Sequence, residues 1–433
     1  MRYPVEDFEI HYATEEDMRS FDPAVAAKEL IQFAVEVRSN DVFITDESDR
    51  VSIRMKRLGK IELLQCLSKE AGRRLQNHFR AVGGADVTDH VKPVDGREVI
   101  ELDNGVHVDV RISGLPNIFG QDLALRLFHT EQAVLQLEQL GFLEPELELV
   151  RGLLDTTGGL VLVSGPTGSG KTSSLYAFLR HLNRGDVKIH TLEEPVEFVL
   201  PGVVQSQVNT RMGVGYAELL HALMRHSPDV LMIGEIRDPK TAEVAVRAGG
   251  SGQLVIATVH ARTAIGSIQS MLSFGVNSNF LANSLSGVVS QRLVRRLCEQ
   301  CSVKIRITEV AVDSSERHGE ESLDETQFLS MPTGCDNCSD GYDQMTCIPE
   351  ILRVGKQMRE AISQKLDAGQ LFQIAEENGL WSFRRAASER LGIGLSTVEE
   401  LMRVAPDSSL AESMLGPLES KSNDADVFDQ TSA

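Results

Sequence analysis

The sequence predicts an α/β protein, in which a small α+β module precedes a larger domain built on a parallel sheet. Near the N-terminus, segments such as DVFIT at 41–45 alternate apolar and polar residues and are separated by Asp, Asn and Gly, as in half-buried strands. From Gly158 onward, short apolar runs such as GLVLVSG alternate with helical stretches. That alternation is typical of a parallel sheet covered by helices on both faces.

Each element has its own signal. Ala27, Leu30 and Ile31 follow the spacing of an amphipathic helix at the start of the α+β module. Strand-like segments follow at VSIRMKRLGKIE, REVIELDNGVHVDVRISGLP and DLALRLF, and the DNG at 103–105 predicts a hairpin turn. In the larger domain, VKIHTLE, DVLMIGE and QLVIATVH have the character of buried strands, and residues 356–404 predict a run of short helices.

These patterns divide the chain into seven segments. Both ends are acidic and polar, and the tail combines many serines with little apolar content, which is typical of disorder. In order, we expect a flexible acidic N-terminus at 1–22, the α+β domain at 23–135, a helical linker at 136–157, the parallel-sheet domain at 158–296, a cysteine-bearing module at 297–350, a helical region at 351–404 and a disordered acidic tail at 405–433.

Charge and hydropathy limit the possible partners. The formal charge of −20 in 433 residues argues against a surface for nucleic acid or anionic membrane over the whole molecule. No apolar run approaches the roughly 20 residues that span a bilayer, and no secretory leader is recognisable. We therefore expect a cytoplasmic protein that binds no nucleic acid and meets a membrane only through a partner.

The motif GPTGSGKT predicts an ATP site. It fits G-x4-G-K-[ST], follows a predicted strand and precedes the helical segment SSLYAFLRHL, which is the context that this motif requires. Its backbone N–H groups suit phosphate, Lys171 suits the β- and γ-phosphate oxygens, and Thr172 suits Mg2+. The predicted nucleotide-binding residues are Gly165, Pro166, Thr167, Gly168, Ser169, Gly170, Lys171 and Thr172.

Hydrolysis also requires a carboxylate that orients water, and two predicted strand ends offer one. DVLMIGEIRD supplies Glu235, the best candidate, and TLEEPVEF supplies Glu193 and Glu194 for Mg2+ or water. Such acids taken singly are more often solvated loop residues, but two clusters at strand ends of one phosphate-binding domain favour a catalytic role. A further strand ends in His260, although an isolated histidine there is more often a packed structural residue.

Four of the six cysteines form two C-x2-C pairs, which are separated by 33 residues. In a chain without a recognisable leader, this pattern indicates metal ligation rather than disulfides. Four thiolates suit tetrahedral Zn2+ in a closed structural site, with an acidic insertion between the two pairs. The predicted zinc ligands are Cys298, Cys301, Cys335 and Cys338.

Four segments, in the order GPTGSGKTSSLY, TLEEPVEF, SPDVLMIGEIRD and SGQLVIATVHART, resemble the Walker A, Asp box, Walker B and His box of the type II secretion and type IV pilus assembly ATPases. The segments RISGLPNIFGQDLALRLF and VVSQRLVRRLCEQC also resemble that family. The resemblance implies a PAS-like N-terminal domain, a RecA-like P-loop domain, a small zinc module and C-terminal helices. It further implies that Glu235 acts on the attacking water, that His260 senses the γ-phosphate, and that Arg111 and Arg126 approach the nucleotide.

The resemblance implies a homo-hexamer that hydrolyses ATP and moves an inner-membrane platform protein. A retraction motor is disfavoured, because retraction ATPases lack the tetracysteine module. A regulatory subunit that binds ATP with negligible turnover is a further alternative, because Ser227 stands where the family usually has an acid before its Walker B strand. A DNA-translocating RecA-like ATPase is disfavoured by the acidic balance and by the absence of a segment rich in Lys and Arg.

Overall fold

The computed structural model describes residues 21–86, 91–129, 134–209, 212–306 and 328–404. The predicted disorder of the tail at 405–433 and nearly all of the predicted flexible N-terminus therefore lie outside the described residues, as does the acidic insertion between the cysteine pairs. Within the described ranges, two large sheets and one small sheet organise the chain.

Residues 21–86 and 91–129, the described part of the N-terminal region, form two helices and six strands. They are α1 (Pro23–Glu36), β1 (Asp41–Asp46), β2 (Arg50–Arg57), β3 (Lys60–Ser68), α2 (Lys69–Val82), β4 (Val94–Glu101), β5 (His107–Asn117) and β6 (Gly120–His129). The strands form an antiparallel sheet in the order β3-β2-β1-β6-β5-β4. Each helix starts at a side-chain cap: Asp22 accepts from the backbone N of Ala24 at 2.9 Å, and Ser68 accepts from that of Ala71 at 3.2 Å.

The two faces of this sheet differ in character. On one face, apolar strand residues such as Val110 share a core with α1 and α2. On the other face, Asp41, Arg126, Arg111 and Arg97 lie directly opposite one another across β1, β6, β5 and β4. Residues that oppose each other in register point to the same side of a sheet, so these four charges form one row away from the helices.

The second sheet has seven strands in the order β15-β12-β7-β11-β10-β8-β9. They are β7 (Gly159–Ser164), β8 (Ile189–Glu193), β9 (Val204–Gln207), β10 (Val230–Ile233), β11 (Leu254–Val259), β12 (Leu285–Leu297) and β15 (Tyr342–Arg353), while β13 (Val303–Arg306) and β14 (Phe328–Met331) form a separate pair. All neighbours in the seven-stranded sheet are parallel except β15, which runs antiparallel to β12.

Helices cover the second sheet on both faces. They are α3 (Glu144–Leu154), α4 (Lys171–Leu182), α5 (Tyr216–Leu223), α6 (Pro239–Gly250), α7 (Ala264–Ser273), α8 (Ser278–Ser284), α9 (Lys356–Ser363), α10 (Ala368–Glu377), α11 (Phe383–Gly392) and α12 (Val398–Val404), with 3-10 turns at Leu137–Leu140 and Met224–His226. Among the described residues, none of the helices is both long enough and apolar enough for a membrane crossing.

Strand β7 shows why the apolar run in this region is continuous. Leu160 and Leu162 belong to the core on one face of the sheet, whereas Val161 and Val163 belong to the core on the other. Because successive side chains of a strand point to opposite faces, a strand covered on both sides needs apolar residues at every position. The predicted parallel sheet with helices on both faces is confirmed.

The cysteine-bearing region is joined to this sheet through β15. Strand β15 lies partly inside the range 297–350, yet it pairs along its length with β12 of the main sheet. The predicted linker is also fixed in place, because Glu146 on α3 forms a buried ion pair with Arg390 on α11, with 2.7 Å between Oε1 and Nη1. The indole of Trp381 also donates to Glu146 at 3.0 Å, so the linker helix is fixed to the C-terminal helices.

Candidate active site

The loop between β7 and α4 contains the predicted phosphate-binding residues. Gly165, Gly168 and Gly170 have φ values of 147°, 77° and 85°, a region that favours glycine. A Cβ on Gly165 would lie 2.4 Å from the backbone oxygen of Gln291, so the loop also passes too close to β12 for a side chain there. Helix α4 begins at Lys171, and the first N–H groups of a helix have no partner within it. Loop and helix together form a cradle suited to an anion.

Lys171 lies within this loop. Its Nζ donates to the carbonyl oxygens of Gly165 at 2.8 Å and of Pro166 at 3.0 Å. Burial lowers the pKa of this ammonium, while the charge of Glu235 acts in the opposite direction. The lysine therefore lies within electrostatic range of the predicted catalytic carboxylate. Thr172 follows it in the first turn of α4.

Glu235 and His260 meet at one edge of the sheet. Strands β10 and β11 are parallel neighbours with Ile233 opposite Ala257, so the residues that follow them emerge side by side. The Nε2 atom of His260 lies 2.8 Å from Oε1 of Glu235. The other carboxylate oxygen of Glu235 lies 2.5 Å from a guanidinium nitrogen of Arg237. Two side chains thus fix the orientation of a carboxylate that is 14% exposed.

The carboxylate of Glu193, at the end of β8, is buried and fully surrounded by donors. Its Oε1 accepts from the hydroxyl of Thr191 at 2.6 Å and from the amide of Gln205 at 3.0 Å. Its Oε2 accepts from the hydroxyl of Tyr176. Burial, followed by the Glu193 carboxylate, raises the pKa of Tyr176 well above its ordinary value, so this tyrosine remains a donor. The arrangement suits an acid that holds the β8 loop in place.

Glu194, the next residue, is the more accessible of the two acids, with its side chain 33% exposed. It lies 3.5 Å from Arg237, which therefore bridges Glu194 and Glu235. The sequence motifs do not identify Arg237, or the three buried donors to Glu193, as residues of the site. Arg237 lies inside the GEIRD segment and its position two residues after Glu235 was a usable signal, whereas Gln205 stands outside every motif.

Arg111 and Arg126 lie side by side on the outer face of the N-terminal sheet. The guanidinium of Arg111 stacks on the ring of Phe128 at 4.1 Å, and Nε of Arg126 donates to Asp41 at 2.8 Å. Burial raises the pKa of Glu197, in the loop after β8, and both arginines act to lower it. The charges of both arginines therefore lie within electrostatic range of Glu197.

The four predicted metal ligands form a compact cluster. The Sγ atoms of Cys298, Cys301, Cys335 and Cys338 all lie within 4.8 Å of one another. Two of the distances are 3.9 Å, from Cys298 to Cys335, and 3.7 Å, from Cys301 to Cys338. Tetrahedral thiolates about 2.3 Å from zinc stand about 3.8 Å apart, so the four sulfurs fit this ion. Zn2+ bound by this cluster would link the segment that follows β12 to the segment that precedes β15.

The sequence matches the family described as type II/IV secretion system protein over residues 15–403. It is 33% identical over 395 residues to the putative type II secretion system protein E of Escherichia coli (strain K12), covering 90% of this chain and 79% of that protein. It is 32% identical over 378 residues to the type IV pilus assembly ATPase TfpB of Acinetobacter baylyi, covering 87% of this chain. The matched part spans only 64% of that pilus ATPase.

Solved structures share the fold. The ATPase DotB of Legionella pneumophila superposes with a TM-score of 0.66 at 17% identity, covering 89% of this chain and 96% of that chain. The pilus retraction motor PilT, solved with ADP, gives a TM-score of 0.59 at 23% identity, covering 89% of this chain and 98% of that one. The predicted α/β fold is confirmed by these likenesses.

Proposed function

Because this chain belongs to the family of type II/IV secretion system proteins, we propose that it is an ATP-hydrolysing hexameric motor that powers type IV pilus assembly or type II protein secretion. The observation that carries the proposal is that Lys171, Glu235 and His260 follow three neighbouring parallel strands, β7, β10 and β11, and so lie at one edge of the sheet. Ligands of open α/β sheets bind at the carboxyl ends of the strands, which is where these side chains lie.

ATP binds in the loop at 165–172. The backbone N–H groups of the loop and of the first turn of α4 hold the phosphates, and Lys171 exchanges its carbonyl partners for β- and γ-phosphate oxygens. The hydroxyl of Thr172 would hold Mg2+, and the ion would supply neutralisation of charge on the phosphate oxygens.

Glu235 orients the water that attacks the γ-phosphorus. The bond between that phosphorus and the oxygen bridging to the β-phosphate breaks, ADP and inorganic phosphate leave, and the proton of the water passes through the carboxylate to solvent. Contacts with His260 and Arg237 keep this carboxylate in one orientation, which favours the reaction by positioning. His260, which lies beside Glu235 and is 55% exposed, contacts the γ-phosphate.

Hydrolysis drives motion of the N-terminal domain. Arg111 and Arg126 lie within electrostatic range of Glu197 in the loop after β8, and their approach to the phosphates between subunits would couple domain position to nucleotide state. The zinc-bound cysteine module stabilises the edge of the second sheet. The hexamer works at the cytoplasmic face of the inner membrane, which it reaches through a membrane platform protein.

The test is steady-state ATP turnover measured over a range of protein concentrations, with molecular mass recorded in the same samples. We expect turnover that rises with the hexamer fraction and requires Mg2+. Lys171→Ala abolishes it, whereas Lys356→Ala, at an exposed site on α9, leaves it unchanged. Undiminished turnover in samples containing only monomer would overturn the hexamer. Binding without turnover in assembled protein, even with the platform protein added, would favour a regulatory subunit instead.

A further inference from the structure

Strand β12 places a buried glutamine directly beside the phosphate-binding loop. In the register between β12 and β7, Ser290 lies opposite Ser164, the last residue before the loop. The next residue, Gln291, is 1% exposed. Its Nε2 donates to the carbonyl oxygen of Ser169 at 2.8 Å, and its Oε1 accepts from the hydroxyl of Ser174 at 2.9 Å. One amide therefore contacts both the loop and the helix that follows it.

The bond to Ser169 fixes the orientation of one peptide group. In a trans peptide the C=O and the following N–H point in opposite directions. When the side chain of Gln291 holds the carbonyl of Ser169, the N–H of Gly170 points away from that side chain. That N–H is one of the groups that a phosphate would use.

Two glycines of the loop rest on the same glutamine. A Cβ on Gly165 would lie 2.4 Å from the backbone oxygen of Gln291, and one on Gly170 would lie 3.2 Å from its Nε2. Gln291 therefore packs closely against both Gly165 and Gly170, near the two ends of the loop. A buried polar side chain with both its donor and its acceptor engaged is a rigid support.

The neighbours of Gln291 on β12 support the other functional segment. Ser290 and Arg292 donate to the carbonyl oxygen of Arg262 at 3.4 Å and 3.1 Å, two residues after His260. Adjacent strand residues point to opposite faces, so β12 contacts the phosphate-binding loop on one side and the His260 segment on the other.

We propose that Gln291 is a positioning residue for nucleotide binding, which sets the phosphate-binding loop in its binding-competent shape. This proposal rests on the proposed function, because it requires a nucleotide in that loop. Loop N–H groups contact the β-phosphate of ATP and ADP alike, both before and during the reaction. Losing their alignment therefore weakens binding uniformly and raises KM while kcat is largely kept.

The experiment compares Gln291→Met, of similar length and without a donor, with Ser174→Ala in the full chain. Gln291→Met removes both hydrogen bonds of the amide, whereas Ser174→Ala removes only the one from Ser174. The difference between the two variants is therefore the release of the carbonyl of Ser169. We measure KM and kcat for ATP, Kd for ADP and the thermal midpoint. For Gln291→Met we expect KM and Kd to rise about tenfold with kcat within about threefold of the parent. For Ser174→Ala we expect KM and Kd within about twofold, whatever its thermal midpoint.

The outcomes separate the explanations. A merely structural role would lower the thermal midpoint and the active fraction of Gln291→Met without moving KM, and that result would overturn the proposal. So would an equal rise of KM in Ser174→Ala. If Gln291→Met does not fold, Gln291→Asn, which keeps an uncharged amide but is one methylene shorter and so withdraws the donor from Ser169, is read in the same way. A parent protein that binds no ADP would instead refute the proposed function itself.

Discussion

The imidazole of His260 lies 2.8 Å from the carboxylate of Glu235, although the two residues follow different strands. The contact exists because β10 and β11 are parallel neighbours whose carboxyl ends lie at the same edge of the sheet. Glu235 also contacts Arg237, so the carboxylate is held by two side chains.

Removing the imidazole should therefore affect the chemical step more than binding. We expect His260→Ala to lower kcat by about 10- to 100-fold, because the carboxylate of Glu235 loses one of its two orienting contacts. The Kd for ADP should stay within about twofold, because ADP lacks the γ-phosphate. Steady-state kinetics and ADP titration check this, with His221→Ala on the exposed surface of α5 as the control. An unchanged kcat in His260→Ala would remove His260 from the mechanism.

The pH dependence of folding stability should reveal the titration of the Glu350 carboxyl group. This carboxyl on β15 is 4% exposed and accepts from the backbone N of Ala264, at the start of α7, at 2.5 Å. Burial raises its pKa from 4.5 to about 7. The folded chain therefore holds a proton here that the unfolded chain releases between these values, and stability falls as pH rises from about 4.5 to 7 by up to about 3 kcal/mol.

Glu350→Gln keeps the acceptor and removes this titration. Relative to the parent, the variant should gain stability between pH 5 and pH 8, where the parent must either bury a charge or distort. Thermal unfolding at the two pH values measures the change, and Glu360→Gln, on the exposed side of α9, serves as the matched control. A difference between variant and parent that is the same at both pH values would contradict the raised pKa.

The cysteine cluster predicts a bound metal and a local structural effect of its loss. We expect about one zinc per chain by elemental analysis, and its loss in Cys338→Ser, since three remaining thiolates leave the site open. Cys66→Ser, on the N-terminal sheet, should retain the metal.

Loss of the metal should also loosen a contact between the two parts of the chain. Next to the cluster, the hydroxyl of Ser339 donates to Glu62 in β3 at 2.8 Å, and Lys60 pairs with Asp340 at 3.4 Å. Hydrogen exchange of β3 should therefore be faster in Cys338→Ser than in the parent. A full metal content in Cys338→Ser would rule out four-thiolate ligation.

The sequence predicts the local features of this site better than their assembly. The phosphate-binding loop is recognisable because its glycines and Lys171 are contiguous and their spacing follows from the backbone geometry. The pairing of Glu235 with His260 depends on which strands are neighbours, and strand order is not written in any one segment. Glu193 and Glu194 look equivalent in sequence, yet the fold buries the first among three donors and leaves the second open to Arg237.

Contacts between residues that are far apart in the chain are even harder to predict from the sequence. Glu146 and Arg390 form a buried ion pair across 244 positions, in a linker and a helix that no motif connects. Gln291 lies 122 positions from Ser169, and a single glutamine in an apolar strand has no periodicity to mark it. Strand β15 joins the main sheet by antiparallel pairing with β12, which local spacing around the cysteines does not reveal.

The central claim is that Glu235 activates the water that hydrolyses ATP, and one comparison tests it most directly. Steady-state turnover and ADP binding are measured for the parent and for Glu235→Gln in the same assembled samples. We predict equal Kd values within about twofold and a kcat that falls about 100-fold or more in Glu235→Gln. Turnover by Glu235→Gln at the rate of the parent would contradict the account and place the catalytic carboxylate elsewhere.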